Sequence, residues 1–109
     1  MSDWNEYPEI DPAIIRNLVD AVGMYAFSGM RSQFVTDLRS LTQAYHDAFA
    51  RSDLADARAS AHALKGAASN IGLVRLGAIA GELEREATDP GSDLDAILDI
   101  SIARLEAAS

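Results

Sequence analysis

Cysteine is absent from the sequence, which excludes a disulfide framework, a thiolate nucleophile and a zinc site with cysteine ligands. No apolar run approaches the roughly 20 residues that a membrane-spanning helix needs. The N-terminal residues, MSDWNEYPEI, contain neither the basic region nor the apolar core of a secretory signal. We therefore expect a cytoplasmic chain whose 109 residues form one domain.

Basic residues are also scarce, at 9 Lys and Arg against 17 Asp and Glu. The net charge of −8 argues against nucleic acid as a partner, because phosphate backbones bind basic surfaces. The sequence has no glycine-rich phosphate-binding loop, no GxSxG motif and no HExxH zinc motif. These absences predict a protein that is not an enzyme and holds no metal ion or cofactor of its own.

What the sequence does contain is helical periodicity, with apolar residues three or four positions apart and no alternating runs typical of strands. Residues 1–9 lack this pattern, and we expect a flexible N-terminal tail there. Asp11 and Pro12 predict a helix start, as cap and first helical residue. Gly23 marks the predicted end of this short helix.

Four longer amphipathic helices follow within residues 10–109, which we assign to one domain. Ser52 or Asp53 is expected to cap the second of them, and Gly72 to end it. The predicted fold class is all-α: an antiparallel up-down-up-down four-helix bundle with a short additional N-terminal helix. The four helices are predicted over about 25–51, 53–71, 73–87 and 92–105.

The segment SAHALKGAASNIG, residues 60–72, holds His62 and the only lysine of the chain on one helix. On a helical wheel His62 lies well outside the apolar stripe, so its side chain is predicted to be exposed. Six further residues share its face or border it: Arg58, Ala59, Ala63, Lys65, Gly66 and Ser69.

This arrangement suits phosphoryl transfer. An imidazole of ordinary pKa, about 6.5, is mostly neutral and nucleophilic at pH 7. If His62 accepts a phosphoryl group, Lys65 supplies a cation one turn away. Gly66, at a cost to the helix of roughly 1 kcal/mol relative to alanine, leaves room beside the ring. Other interpretations remain open: a solvated His62, a Lys65 that serves solubility, and a Gly66 that lets two helices approach closely.

Residues 62–72, HALKGAASNIG, resemble the signature of the histidine-containing phosphotransfer (Hpt) domains of two-component phosphorelays, approximately H-x-L-K-G-[SA]-[SA]-x-x-x-G. The resemblance covers most of the chain, since the family is a four-helix bundle with a short leading helix. It implies that His62 is the phosphoryl acceptor, that Lys65 supports the phosphate and that Gly66 gives a partner access. The implied partners of this monomeric phosphocarrier are receiver domains of response regulators or hybrid histidine kinases, which supply an acidic pocket and Mg²⁺.

Many members of the family carry, on the following helix, a glutamine that hydrogen-bonds the imidazole. The gapless equivalent here is Glu84. Turn geometry leads to the same residue, because His62 and Glu84 are nearly equidistant from the predicted turn at residues 72–73 and therefore lie at the same height. We assign Glu84, together with Ser69, to the support of His62, with a solvated acid as the alternative for Glu84.

The sequence thus predicts a phosphorelay intermediate, in which His62 takes a phosphoryl group from an aspartate of one receiver domain and gives it to an aspartate of another. The second histidine, His46, is expected to be solvated. The predicted docking surface comprises Arg58, Ala59, Ala63, Gly66, Ile14 and Leu18. The alternative function is a helical adaptor without phosphoryl chemistry, which would bind its partner through an exposed apolar patch of Ile14, Ile15, Leu18 and Phe27.

Overall fold

The computed structural model describes residues 4–107, and within them it contains helices and no strand. The prediction of an all-α fold is confirmed. No helix in this part of the chain is long and apolar enough to cross a membrane. A short 3₁₀ helix, Trp4–Glu6, precedes five α-helices: α1 Pro12–Val22, α2 Met24–Ala50, α3 Leu54–Asn70, α4 Val74–Arg85 and α5 Asp93–Ala107.

The start and end of α1 are as predicted. The Asp11 carboxylate accepts a hydrogen bond from the backbone N–H of Ala13 at 3.0 Å, and Pro12 is the first helical residue. Gly23 separates α1 from α2 with a φ of 85°, which glycine adopts without strain. This residue lets the chain turn sharply, so that α1 packs against α2.

Helices α2 to α5 form the antiparallel bundle, in which α3 packs against α2 and α4, and α5 packs against α2 and α4. The connection between α2 and α3 ends at Asp53, whose carboxylate accepts from the Asp56 N–H at 3.0 Å. Asp53, rather than Ser52, is therefore the cap. At the same end of the bundle, the buried Tyr45 hydroxyl donates to the Thr88 carbonyl at 2.7 Å and so holds the α4–α5 connection against α2.

The turn between α3 and α4 determines the relative register of these two helices. The Leu73 N–H donates to the Ala68 carbonyl at 2.9 Å and the Gly72 N–H to the Ser69 carbonyl at 3.2 Å, which is a Schellman motif. Gly72 has a φ of 79°, and a Cβ there would lie 2.9 Å from the Asp11 carbonyl oxygen. Only glycine fits this position, where the Asp11 N–H also donates to the Gly72 carbonyl at 2.7 Å.

The apolar patch expected for an adaptor is only partly present. Ile15 and Phe27 are buried in the bundle core, so their assignment to an exposed patch is wrong. The reason is that α1 lies against α2 and covers an apolar stripe that the sequence alone leaves facing solvent. Ile14 and Leu18 remain partly exposed.

Residues 4–9, part of the predicted flexible tail, contact the outer side of α4. The Trp4 N–H donates to Glu82 Oε2 at 3.1 Å, and Arg75 Nε donates to the Tyr7 carbonyl at 2.8 Å. Glu9 pairs with an arginine of α5, Arg104, at 2.7 Å. We call residues 4–9 the N-terminal segment; the remainder of the predicted tail, residues 1–3, lies outside the described residues.

Candidate functional site

Two glycines of α4 let this helix approach α3 closely. A Cβ at Gly77 would lie 2.8 Å from Ser69 Oγ, which is closer than real Cβ contacts. One turn later, a Cβ at Gly81 would lie 3.4 Å from Lys65 Cδ, so the aliphatic part of Lys65 crosses α4 directly over a residue without a side chain. This close packing brings the next turn of α4, with Glu84, beside His62.

His62 and Glu84 are hydrogen-bonded. His62 Nδ1 lies 2.6 Å from Glu84 Oε2, and the two side chains are 69 % and 29 % exposed. The equal height predicted from the position of the turn is therefore observed. Glu84 is the ring's one hydrogen-bond partner within residues 4–107.

The charge on Glu84 decides where the imidazole proton lies. Hydrogen bonds from Lys65 and, second, from His62 hold the pKa of the Glu84 carboxyl below its ordinary value, against a smaller opposing effect of desolvation. Glu84 is therefore ionised at neutral pH, and an ionised carboxylate only accepts hydrogen bonds. A neutral His62 must donate from Nδ1, which leaves the lone pair on Nε2.

Lys65 contacts the same carboxylate from the other side, where Lys65 Nζ donates to Glu84 Oε1. The role predicted for this cation was support of a phosphate, and its contact with Glu84 was not predicted. On its way to Glu84 the lysine side chain passes over Gly81, where a Cβ would lie 3.4 Å from Lys65 Cδ. Glu84 thus joins an imidazole and an ammonium from two successive turns of α3.

The surface around the imidazole is low. Ala59, Ala63 and Gly66 are exposed on α3. A Cβ built at Gly66 would meet no atom within 4 Å, so this glycine does not serve a close helix approach and that interpretation is wrong. Arg58, one turn before His62, is also exposed, and its charge opposes the rise in the pKa of Tyr45 that burial causes.

Ser69 lies farther along α3, toward the turn, and together with Ile14 of α1 it borders a groove with a volume of about 430 Å³. Leu18 packs against the core instead. The supporting role predicted for Ser69 stays a prediction, because its described neighbour is Gly77 rather than the ring or Glu84. The groove is lined by Tyr7, Ile14, Lys65, Ser69, Val74, Gly77, Ala78, Gly81 and Arg85, and we call it the α4 groove.

Six of these lining residues were not predicted from the sequence: Tyr7, Val74, Gly77, Ala78, Gly81 and Arg85. A signal for the glycines was available, because two glycines four apart in GAIAGEL indicate one bare stripe along a helix. No three His, Asp or Glu side chains within the described residues lie close enough together to share a metal ion.

Comparison with known proteins agrees with this geometry. The family model described as "Hpt domain" matches residues 29–108, well over half of the chain. The chain belongs to the Hpt family. Hpt domains are phosphocarrier modules that take part in histidine phosphotransfer in two-component systems and interact with receiver domains. The matched region of this Hpt domain includes His62, Lys65 and Glu84 but neither α1 nor the N-terminal segment.

A curated relative of this Hpt domain is the sensor histidine kinase AruS of Pseudomonas aeruginosa, which is 34 % identical over 82 residues. The alignment covers 72 % of this chain and 8 % of the kinase, so the chain corresponds to a small part of that relative. No solved structure matches the chain significantly.

Proposed function

We propose that this Hpt domain is a phosphorelay intermediate, in which His62 accepts a phosphoryl group from an aspartate of one receiver domain and passes it to an aspartate of another. The observation that carries the proposal is the exposed imidazole, whose Nδ1 is held by Glu84 at 2.6 Å. This contact orients the ring and leaves Nε2 as the nucleophilic atom.

In the accepting step, the Nε2 lone pair attacks the phosphorus of the aspartyl phosphate. The P–N bond forms while the P–O bond to the aspartyl carboxyl group breaks, and the aspartate leaves as a carboxylate. The ring proton stays on Nδ1, so the phosphorylated ring is cationic and its charge faces the Glu84 carboxylate. The donating step is the reverse, with an aspartate of the second receiver domain as nucleophile.

Lys65 has two tasks in this proposal. In the resting domain its ammonium neutralises Glu84 and keeps the carboxylate ionised. In the phosphorylated domain it is a cation one turn from the added phosphoryl group, and its flexible stem lets the ammonium turn toward the new negative charge. The Mg²⁺ of the reaction belongs to the receiver domain, and this chain contributes the nucleophile and the surface around it.

The docking surface surrounds the ring. Ala59, Ala63 and Gly66 let a receiver domain approach His62 without steric hindrance, and Arg58 borders them as a cation. Ile14 and Leu18, both on α1, are the remaining residues of the predicted surface. We propose that the domain acts as a cytoplasmic monomer, since His62, Glu84 and Lys65, the side chains it contributes to the step, all come from one copy.

The test is direct transfer. A panel of purified receiver domains is phosphorylated with acetyl phosphate and Mg²⁺, freed of the small molecules, and incubated with this domain. We expect at least one receiver domain to add one phosphoryl group to the peptide that contains His62, in a bond that is labile to acid and stable to alkali. Modification of another residue, or of none with the whole panel, would contradict the proposal.

A further inference from the structure

We infer that the α4 groove receives an apolar side chain of the docked receiver domain, and that Tyr7 helps to determine which receiver domains bind. The inference rests on the proposed function, because the occupant is the protein that exchanges the phosphoryl group with His62. It adds Tyr7, which lies outside the region that the family model matches, and the groove that Tyr7 helps to line.

The groove has the shape of a side-chain site. Its floor is α4 at Gly77, Ala78 and Gly81, where helical backbone is nearly bare. The Tyr7 ring and Ile14 form one side, and Lys65 and Ser69 of α3 form the other. A volume of about 430 Å³, lined mostly by apolar atoms, admits a large aliphatic or aromatic side chain.

The wall that carries Tyr7 is held in place before any partner binds. Arg75 donates to the Tyr7 carbonyl at 2.8 Å, and the Trp4 N–H donates to Glu82 at 3.1 Å. Glu9 pairs with Arg104 at 2.7 Å and lies 3.7 Å from Arg75. A tyrosine on a fixed backbone loses little conformational entropy on binding, which is one reason why tyrosines are frequent among the residues that dominate interfaces.

The groove is continuous with the site. Lys65 lines it and also donates to Glu84, which in turn holds the His62 ring. A specific interface covers about 800 Å² of each partner. A receiver domain centred on His62 therefore extends over the groove, and the half-exposed Tyr7 ring lies within its reach.

The electrostatics of the groove define the complementary partner. Arg85 and Lys65 contribute two cations to the lining, in a chain whose net charge is −8. The occupant we infer is an apolar side chain with a carboxylate beside it, on the receiver surface next to the phosphorylated aspartate. Tyr7 and Ile14 precede the matched region at 29–108, so they alter the choice of partner while the chemistry at His62 is unchanged.

The experiment compares three variants with the receiver domain that transfers fastest in the panel above. Tyr7→Ala removes the groove wall, and Ala78→Phe fills the groove from its floor. Tyr25→Ala is the matched control, because this tyrosine is 97 % exposed on α2 and does not line the groove. Calorimetry measures the binding of each variant to the receiver domain. Mass spectrometry measures how far phosphoramidate labels each variant, and circular dichroism checks that each one is folded.

We expect Tyr7→Ala and Ala78→Phe to weaken binding roughly fivefold or more, as truncation of an anchoring interface residue does, and Tyr25→Ala to leave it unchanged. Phosphoramidate labelling, which needs no docking, should be equal in all three. Binding by both groove variants at the strength of the control would overturn the inference. A matching loss of labelling in Tyr7→Ala would also overturn it, because Tyr7 would then act on His62 itself. If phosphoramidate labels the wild type at a residue other than His62, the proposed function fails instead, and this inference fails with it.

Discussion

The two histidines of this domain are both paired with a carboxylate from a neighbouring helix, yet their surroundings differ. His62 contacts Glu84 through Nδ1 at 2.6 Å and is 69 % exposed. His46 contacts Asp95 through Nε2 at 3.0 Å and is 28 % exposed, with its ring edge against Tyr45 at a centroid distance of 6.3 Å. The expectation that His46 is merely solvated is therefore wrong.

Pairing with a carboxylate is therefore not what distinguishes His62, the proposed phosphoryl acceptor, from His46. In His46 the outer ring nitrogen, Nε2, is occupied by Asp95, and the ring is largely covered. In His62 the inner nitrogen is occupied instead, and the outer nitrogen faces a surface of alanine and glycine. The distinguishing features are which nitrogen is held and how much space surrounds the other one.

The largest expected effect is a complete loss of labelling, and it should follow the replacement of only one of the two histidines. His62→Gln should abolish labelling by phosphoramidate and by a phosphorylated receiver domain, whereas His46→Gln should keep full labelling. The melting temperature of His62→Gln should stay within a few degrees of the wild type, since an exposed position contributes little to stability. Mass spectrometry of the intact variants checks the prediction, and labelled His62→Gln protein would refute it.

The space beside His62 is tested by Gly66→Leu. The variant should fold, because a Cβ at this exposed position meets no atom within 4 Å and leucine favours helix. Transfer from a receiver domain should fall by an order of magnitude or more, since the leucine stands one turn from the ring. Stopped reactions separated on phosphate-affinity gels give the rate.

Gly29→Leu is the matched control for Gly66→Leu. Gly29 is also exposed, its Cβ would likewise meet no atom, and it lies on α2 rather than beside His62. Transfer by this variant should equal that of the wild type. Equal rates for both leucine variants would show that receiver domains do not approach over Gly66.

A smaller effect on the transfer rate is expected when the carboxylate that pairs with each histidine is replaced. Glu84→Ala removes the acceptor that holds Nδ1–H, so the ring loses its orientation and the transfer rate should fall several-fold. Glu84→Gln should fall less, because the amide oxygen still accepts that hydrogen bond. Asp95→Asn, the equivalent change at His46, should leave the transfer rate unchanged. Equal transfer rates for the wild type and Glu84→Ala would mean that Glu84 is a solvated acid with no role in transfer.

The smallest effect concerns the charge on Glu84. Lys65→Met removes the main cause of the lowered pKa of Glu84, so this pKa should rise toward the ordinary value of about 4.3. Arg58→Met, which removes another cation one turn from His62, should leave it unchanged. Carbon-detected NMR titration of the Glu84 carboxyl checks both, and an unaltered midpoint in Lys65→Met would contradict the ion pair.

The lowered pKa of Glu84 also makes the stability of the domain depend on pH. Because the folded-state pKa of Glu84 lies below its unfolded value, its contribution is fully present above about pH 4.3 and is lost as the pH falls through the folded value. The difference in denaturation midpoint between wild type and Glu84→Gln should therefore be larger at pH 7 than at pH 3.

The fold and the centre of the site were predictable because they depend on local rules. The helix starts at Asp11 and Asp53 follow from capping, and the helix ends at Gly23 and Gly72 follow from backbone conformation. Once the turn at Gly72 is known, antiparallel packing places Glu84 beside His62. These inferences need no knowledge of distant contacts.

The remaining features depend on contacts between residues far apart in the chain. The N-terminal segment has no periodicity of its own, and its position follows from bonds to Arg75 and Glu82 on α4. The burial of Ile15 depends on the angle between α1 and α2, which the turn at Gly23 determines. The contact of Lys65 with Glu84 depends on how closely α4 packs against α3, since the lysine side chain passes over Gly81.

The Schellman turn at Gly72 has a further consequence for how this chain tolerates insertions. His62 and Glu84 are 22 residues apart, and their contact requires both helices to keep a common phase measured from that turn. One alanine inserted between Leu76 and Gly77 would rotate Glu84 by about 100° and advance it by about 1.5 Å, away from the imidazole. One alanine inserted after Arg85 would leave the contact unchanged. Between His62 and Glu84, the number of residues constrains the site as strictly as their identity does.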